Sequence, residues 1–353
     1  MLTVPYLRLL ARNRFRIHPL RWAMATIIFF VSMMVSVFVF VQWIFLGRKI
    51  ARTTISEPPI FVVGHWRSGT TLLHELLSLD PQHAFPSTYE CFAPQHFLIT
   101  SWIIPKLFWF VVPASRPMDA MAAGFDAPQE DEFALVSMGA PSPYYKMAFC
   151  NEPRPYEEFY DMDAAKPVDV QKFDSCLTYF FKALTYKKKK RLILKSPTHT
   201  GRVGHLAKMF PGAKFVHISR NPCNQILSTT RTWKTLDPIQ GFQFPKYSDE
   251  AIMGHTLDVF QKMYGGYFHQ IKQLSPGDLC EVRFEDLIAN PETEVSRIYS
   301  TLDITGFEKL APRIREYFEK RSGYERRNYD LPADIRSQIE ENCTEYMQRY
   351  GYL

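Results

Sequence analysis

The sequence predicts an α/β protein in three layers, with a central parallel sheet and one additional membrane helix near the N-terminus. Three observations carry this expectation. Short β-branched runs alternate with amphipathic helical patterns from residue 59 onward, as crossover connections that cover both faces of a parallel sheet require. The first such run stops at "GHWRSGTT" (64–71), close to the G-x-x-x-x-G-K-[ST] phosphate-binding template. Ahead of it, Trp22 to Leu46 runs for 25 residues without a charge.

Taken in order, residues 1–21 form a basic segment holding Arg8, Arg12, Arg14, Arg16 and Arg21. Residues 22–46, "WAMATIIFFVSMMVSVFVFVQWIFL", would reach about 37 Å as a helix, against a hydrocarbon core of ~30 Å. Trp22 and Trp43 stand near its ends, as interfacial aromatics do. The run exceeds a signal-peptide h-region and no small-residue cleavage site follows. The expectation is a single-pass transmembrane helix over 22–46, with a buried core helix as the competing reading. More arginines precede it than cations follow it (Arg48, Lys49, Arg52), which favours a cytoplasmic N-terminus. Residues 47–58 read as a linker and 59–353 as the catalytic domain.

Within that domain Ile60–Val63 reads as a strand and a helix opens near Thr70. An irregular acceptor-side insertion spans 84–170. It contains "FLITSWIIPKLFWFVVP" (97–113), broken by Pro105 and Lys106. That stretch is either a pair of core helices or a surface that dips into a bilayer or holds a greasy acceptor. "KKKKR" (187–191) reads as the solvated end of a helix. "RLILKSP" then reads as a strand, "HTGRVGHLAKMF" as a helix, "AKFVHISRNP" as a strand and "CNQILSTTRTW" as a helix. "DLCEVRFEDL" gives a last strand, and 330–350 a helix begun by Pro332.

The composition is that of a globular protein, 46% hydrophobic and 22% charged, with a formal charge of +6 that suits an anionic ligand. No basic stripe interleaved with aromatics marks a nucleic-acid surface. The six cysteines have neither C-x-x-C pairs nor metal-type spacing with histidine, so no metal is expected.

The loop departs from the template in one respect: Thr70 stands where the lysine belongs, and the cation has moved to Arg67. Backbone N–H groups of Ser68, Gly69, Thr70 and Thr71 can still converge on oxyanions at a helix N-terminus. A P-loop NTPase also needs its lysine and a Mg²⁺-holding aspartate after a later strand. Here the later strands end in "LKSP" and "ISRNP". The implied chemistry is group transfer from a phosphate anhydride with side-chain cations in place of metal. The fold is therefore P-loop-like without a P-loop NTPase's apparatus. A metal-dependent kinase or NTPase, and a catalytically silent membrane-anchored nucleotide binder, are the rival readings.

"VVGHWRSGTTLL" resembles the 5′-phosphosulfate loop of sulfotransferases that use 3′-phosphoadenosine 5′-phosphosulfate (PAPS), in the branch with arginine in the loop. "VHISRNPCNQILS" is similar to that family's 3′-phosphate segment, and "VRFEDL" (282–287) to a later element. "RPMDAMAAGFDAPQEDEFAL" (116–135) is similar to bacterial members. The resemblance implies PAPS as donor and a hydroxyl acceptor; the apolar segments favour a lipophilic or lipid-linked alcohol, with a glycan or tyrosine left open. It assigns Arg67 and Lys195 to the sulfuryl group and leaving phosphate, and Arg220 with Ser228 to the 3′-phosphate. It places the general base at Glu90, twenty-three residues after Arg67, with a carboxyl pKa raised by bulky neighbours. His199 is the rival base. A basic loop near the C-terminus implies nucleotide contacts at Arg326, Arg327 and Asn328. The acidic run Glu130, Asp131, Glu132 reads either as a helix's first turn or as a group that orients the acceptor. For the compartment, charge bias places the domain outside the cytoplasm, whereas the bacterial likeness places it inside.

Overall fold

Alternation along each strand decides the layering. In β1 (Ile60–Val63), Phe61 and Val63 enter one hydrophobic core, while Ile60 and Val62 enter another. β3 (Arg191–Lys195) repeats this, with Leu192 and Leu194 on the first side and Ile193 on the second. In β4 (Lys214–Ser219), Phe215 faces the first core and Val216 and Ile218 the second. A sheet apolar on both faces must be covered on both, and the computed structural model, which describes residues 1–111, 124–320 and 331–353, has that three-layer form.

The five strands run in the order β2-β3-β1-β4-β5 and every pairing is parallel, with β2 at His83–Ala84 and β5 at Leu279–Arg283. β1 is central, flanked by β3 and β4, so Gly64, Ser196 and Arg220 follow three adjacent strand ends. Carboxyl edges of this kind are where open α/β sheets bind ligands. Helices Pro167–Lys188 and Asp249–Gln270 contribute to the first core. Helices Thr70–Ser78, Pro291–Thr301 and Phe307–Glu319 contribute to the second.

Local sequence reading fails in three places. "HTGRVGHLAKMF" is a 3₁₀ turn (Pro197–Arg202) followed by a short helix (Val203–Met209), because Thr198, His199, Thr200 and Arg202 are all engaged by hydrogen bonds that hold the turn. The C-terminal helix is two, Ala333–Asn342 and Thr344–Tyr350, divided at Cys343. The apolar N-terminal helix extends over Trp22–Arg52, so the first residues of the expected linker are helical. It is long and apolar enough to cross a membrane. A further helix, Thr3–Arg12, lies within the basic segment.

The insertion over 84–170 is held to the end of β3 by buried charge. Arg202 donates to both oxygens of Glu132 (2.8 and 3.3 Å), and Ser142 and Thr198 add hydroxyl donors. Neither side chain of that ion pair is exposed. Asp131 accepts from Ser196 Oγ and lies 2.8 Å from His199 Nε2. Burial by itself would push both carboxyls up, but the partners outweigh it and hold them below their ordinary values of 3.8 and 4.5. Depressed folded-state values mean that the unfolded chain binds more protons in acid. The stabilisation is therefore present near neutrality and is lost as pH falls below about 4.5. Removing one partner leaves the other buried and unpaired. Arg202→Met is expected to lower stability by about 3–5 kcal/mol, measured as a shift of the urea midpoint at pH 7, with a smaller difference from wild type at pH 4.

Candidate active site

The loop after β1 is shaped by two glycines. Gly64 has φ +146°, and a Cβ there would lie 2.6 Å from the Ile218 carbonyl oxygen. Gly69 has φ +109°, and a Cβ there would lie 2.4 Å from the Phe284 ring. The loop can thus press onto β4 and onto the helix after β5 only without side chains at these positions. This gives the "VRFEDL" element a physical role: its phenylalanine fills the space that residue 69 leaves.

Between the glycines, Arg67 adopts φ +64°, a left-handed conformation that a non-glycine residue avoids. Arg67 Nε donates to Ser228 Oγ at 3.0 Å, on helix Pro222–Gln240. Arg220, after β4, lies with its guanidinium carbon 4.5 Å from the centroid of the Phe284 ring and donates through Nη1 to the Arg67 carbonyl oxygen at 2.9 Å. Tyr346 secures that strand end by bonding both the N–H and the carbonyl of Arg220. Arg67, Arg220 and Ser228 therefore form one cluster. The hydroxyl of Ser68 is fully buried and has no hydrogen-bond partner among the described residues. Helix Thr70–Ser78 begins at the loop, so the N–H groups of Thr70 and Thr71 have no acceptor within the helix. His65, pushed down to about 3 by burial, is neutral at physiological pH.

Lys195 ends β3 on the other side of the loop. Its ammonium, almost wholly buried, lies 2.8 Å from Glu130 Oε1. The second oxygen of Glu130 accepts from Tyr144 Oη at 2.5 Å, and that hydroxyl accepts from Trp66 Nε1 at 3.0 Å. The chain Lys195–Glu130–Tyr144–Trp66 thus links the β3 end, the insertion and the loop. Aromatic rings line it: Trp66 lies 5.7 Å from Trp233 and 6.1 Å from Tyr144, Tyr144 lies 5.3 Å from Phe133, and Phe133 lies 5.4 Å from Phe92.

The structure places the two residues expected as bases, Glu90 and His199, in ion pairs away from Lys195. Glu90 forms a capping box with Ser87 and pairs with Lys187 (3.1 Å) and Lys188 (2.7 Å). Burial pushes its carboxyl up, but the two lysines and the Ser87 N–H outweigh burial and leave it lowered, the reverse of the rise expected from the sequence. His199 is fully buried with its Nε2 on Asp131, serving the ion-paired clamp. Arg326, Arg327 and Asn328 lie outside the described residues. Sequence reasoning treated Glu130, Asp131 and Glu132 as one feature because three successive carboxylates before an apolar run look like a helix entry. The structure separates them, sending Glu130 to Lys195, Asp131 to His199 and Glu132 to Arg202.

A cation-flanked, glycine-shaped anion loop on the carboxyl edge of a parallel sheet, with a lysine–carboxylate pair beside it, defines a group-transfer enzyme acting on an anionic donor. The sequence profile of the sulfotransferase family matches residues 58–309, and the chain belongs to that family. It is a sulfotransferase. It is 40% identical over 349 residues to the omega-hydroxy-beta-dihydromenaquinone-9 sulfotransferase Stf3 of Mycobacterium bovis, covering 98% of this chain and 89% of that one; Stf3 of Mycobacterium tuberculosis matches to the same extent. The crystal structure of sulfotransferase STF9 from Mycobacterium avium superposes with a TM-score of 0.68 at 16% identity, over 90% of this chain and 83% of the other. For STF1 from Mycobacterium tuberculosis the TM-score is 0.63 at 19% identity, over 87% and 81%. These two structures share the fold.

The loop geometry makes a specific demand. Gly69→Ala forces both an overpacked contact with Phe284 and a left-handed alanine. It is expected to cost about 2–4 kcal/mol, read from the shift in urea-denaturation midpoint.

Proposed function

We propose that the enzyme moves the sulfuryl group of PAPS onto the hydroxyl of a lipophilic alcohol. The observation that carries this reading is the buried Ser68 hydroxyl, without a partner among the described residues, in a loop with no room for a Cβ at either glycine, flanked by the Arg67–Arg220–Ser228 cluster and by Lys195. Such a site fits a donor with two anionic groups. PAPS supplies a sulfuryl group on a phosphate leaving group, together with a separate 3′-phosphate.

Each side chain then has a task. Ser68, Thr70 and Thr71 cradle the 5′-phosphate through hydroxyl and N–H donors. Arg67 and Lys195 stabilise charge on the sulfuryl oxygens and the departing phosphate. Arg220 and Ser228 hold the 3′-phosphate by charge-assisted and hydroxyl bonds. Glu130 takes the acceptor's proton as the acceptor oxygen bonds to sulfur and the sulfur–phosphate oxygen bond breaks. Its two oxygens are oriented by Lys195 and Tyr144. The aromatic row from Trp66 to Phe92 offers an apolar wall for the acceptor. A lipophilic alcohol is further supported by the 40% identity to Stf3, whose name gives an omega-hydroxylated menaquinone as its substrate.

Arg67→Ala is expected to lower kcat by about 10²–10³-fold in a labelled-donor assay. Glu130→Gln should lower it by about 10²–10⁴-fold and remove the pH dependence of a general base. Glu90→Gln and His199→Asn should keep that dependence while losing stability. If Glu90→Gln alone abolished it, the base would be Glu90. In thermal-shift measurements, 3′,5′-adenosine bisphosphate is expected to raise Tm and ATP with Mg²⁺ to leave it unchanged; the opposite result returns the chain to the kinase reading.

A further inference from the structure

The apolar helix Trp22–Arg52 is docked on the protein along most of its length. Near its start, the Ala25 carbonyl accepts from Tyr6 Oη at 2.8 Å. Further on, Ser36 Oγ accepts from the Thr3 N–H at 3.1 Å. Phe38 packs against His96, with ring centroids 5.7 Å apart. Gln42 is fully buried, donating to Tyr179 Oη and accepting from the Leu98 N–H. Ile50 enters the first hydrophobic core, and the Ala51 carbonyl accepts from Lys182 Nζ at 3.0 Å. From Ala25 to Ala51 is about 39 Å of helix, more than the ~30 Å thickness of a hydrocarbon core.

A helix held this way cannot cross a bilayer alone. Crossing would draw helix Thr3–Arg12, with exposed Arg8 and Arg12, and helix Pro167–Lys188, with its lysines, into hydrocarbon, where charged side chains are strongly disfavoured. The opposite face of the helix is greasy and open, with Ile27, Phe30, Val37, Phe40 and Ile44 each more than half exposed. Leu98, bonded to Gln42, leads into a second open apolar stretch: Trp102, Leu107, Trp109 and Phe110 are all more than half exposed. Exposed Arg14 precedes the apolar run in the chain, exposed Arg48, Lys49 and Arg52 follow it, and exposed Lys106 lies within the second stretch. An apolar face rimmed by cations matches one leaflet of an anionic bilayer.

The geometry points to a monotopic seating: helix Trp22–Arg52 lies in the plane of one leaflet, with its outer face in acyl chains and the catalytic domain resting on the same side. Together with the proposed function, on which this part rests, the seating gives the acceptor a route. Phe92, 53% exposed, ends the aromatic row from Trp66 and shares a small crevice with Val35 and Val39 of the same helix. A long-chain alcohol passes from the leaflet along that row, carrying its hydroxyl to Glu130.

The test uses the full-length enzyme added to preformed sealed vesicles of phosphatidylglycerol and phosphatidylcholine. Single substitutions Arg14→Cys and Lys49→Cys flank the helix and are probed with a membrane-impermeant maleimide. Both are expected to label from outside; protection of either until the vesicles are lysed overturns the seating. Phe40→Lys should reduce the vesicle-bound fraction about tenfold and slow sulfation of a vesicle-embedded long-chain alcohol, with turnover of a short, water-soluble alcohol unchanged. Unchanged vesicle binding by Phe40→Lys also overturns it. If neither alcohol is sulfated while both cysteines label from outside, the functional reading fails and the seating stands.

Discussion

Three consecutive carboxylates, Glu130, Asp131 and Glu132, tie the 84–170 insertion to the carboxyl end of β3, and the arrangement around Lys195 depends on that tie. A charge taken out of water needs partners that replace its hydration. Arg202, His199, Ser196, Ser142 and Thr198 meet that need for the two buried members. Because both carboxylates are fixed by several donors, the backbone that carries them has little freedom. Glu130, one residue earlier, is thereby presented to Lys195 in a defined position. The carboxylates of the three pairs are consecutive along the chain.

The loop after β1 shows the same economy of position. Arg67 occupies a backbone region that glycine would occupy more easily, and it is the Arg67 carbonyl that Arg220 grips from below. Phe284 serves two neighbours, filling the place of a Cβ on Gly69 and lying beneath the Arg220 guanidinium. Elements from the ends of β1, β4 and β5 meet here, and Tyr346 from the C-terminal helix closes the group. Charge placed in this way is preorganised and does not have to be gathered when a donor arrives.

The N-terminal helix has two unlike faces for one reason. Its buried side carries Ser32, Ser36 and Gln42, polar groups that find partners in helix Thr3–Arg12 and in the catalytic domain. Its outer side is almost wholly aliphatic and aromatic. In a helix that meets lipid all round, such polar groups would need partners from other spans. Here the protein itself provides them.

Much of the fold was legible in the chain. Alternating apolar strands imply a two-faced sheet, Gly64 and Gly69 at phosphate-loop spacing imply a loop pressed against its neighbours, and Arg67 in place of a P-loop lysine implies a donor unlike ATP. These features are local, governed by backbone stereochemistry and side-chain periodicity over a few residues. The pairings of carboxylates and histidines were not legible, because a titratable group's partner is whatever stands opposite it in space. Glu90, read as a base from its distance along the chain, is held by Lys187 and Lys188 from a helix almost a hundred residues away. His199 meets Asp131 across 68 residues, and Glu130 meets Lys195 across 65. The apolar helix was likewise plain from composition, but whether one face is covered depends on Thr3, Leu98 and Tyr179. Local sequence determined the sheet, the loop and the greasy helix; only tertiary packing decided which charges pair with which and which side of that helix is left open, since pairing and burial are set by contacts between distant segments.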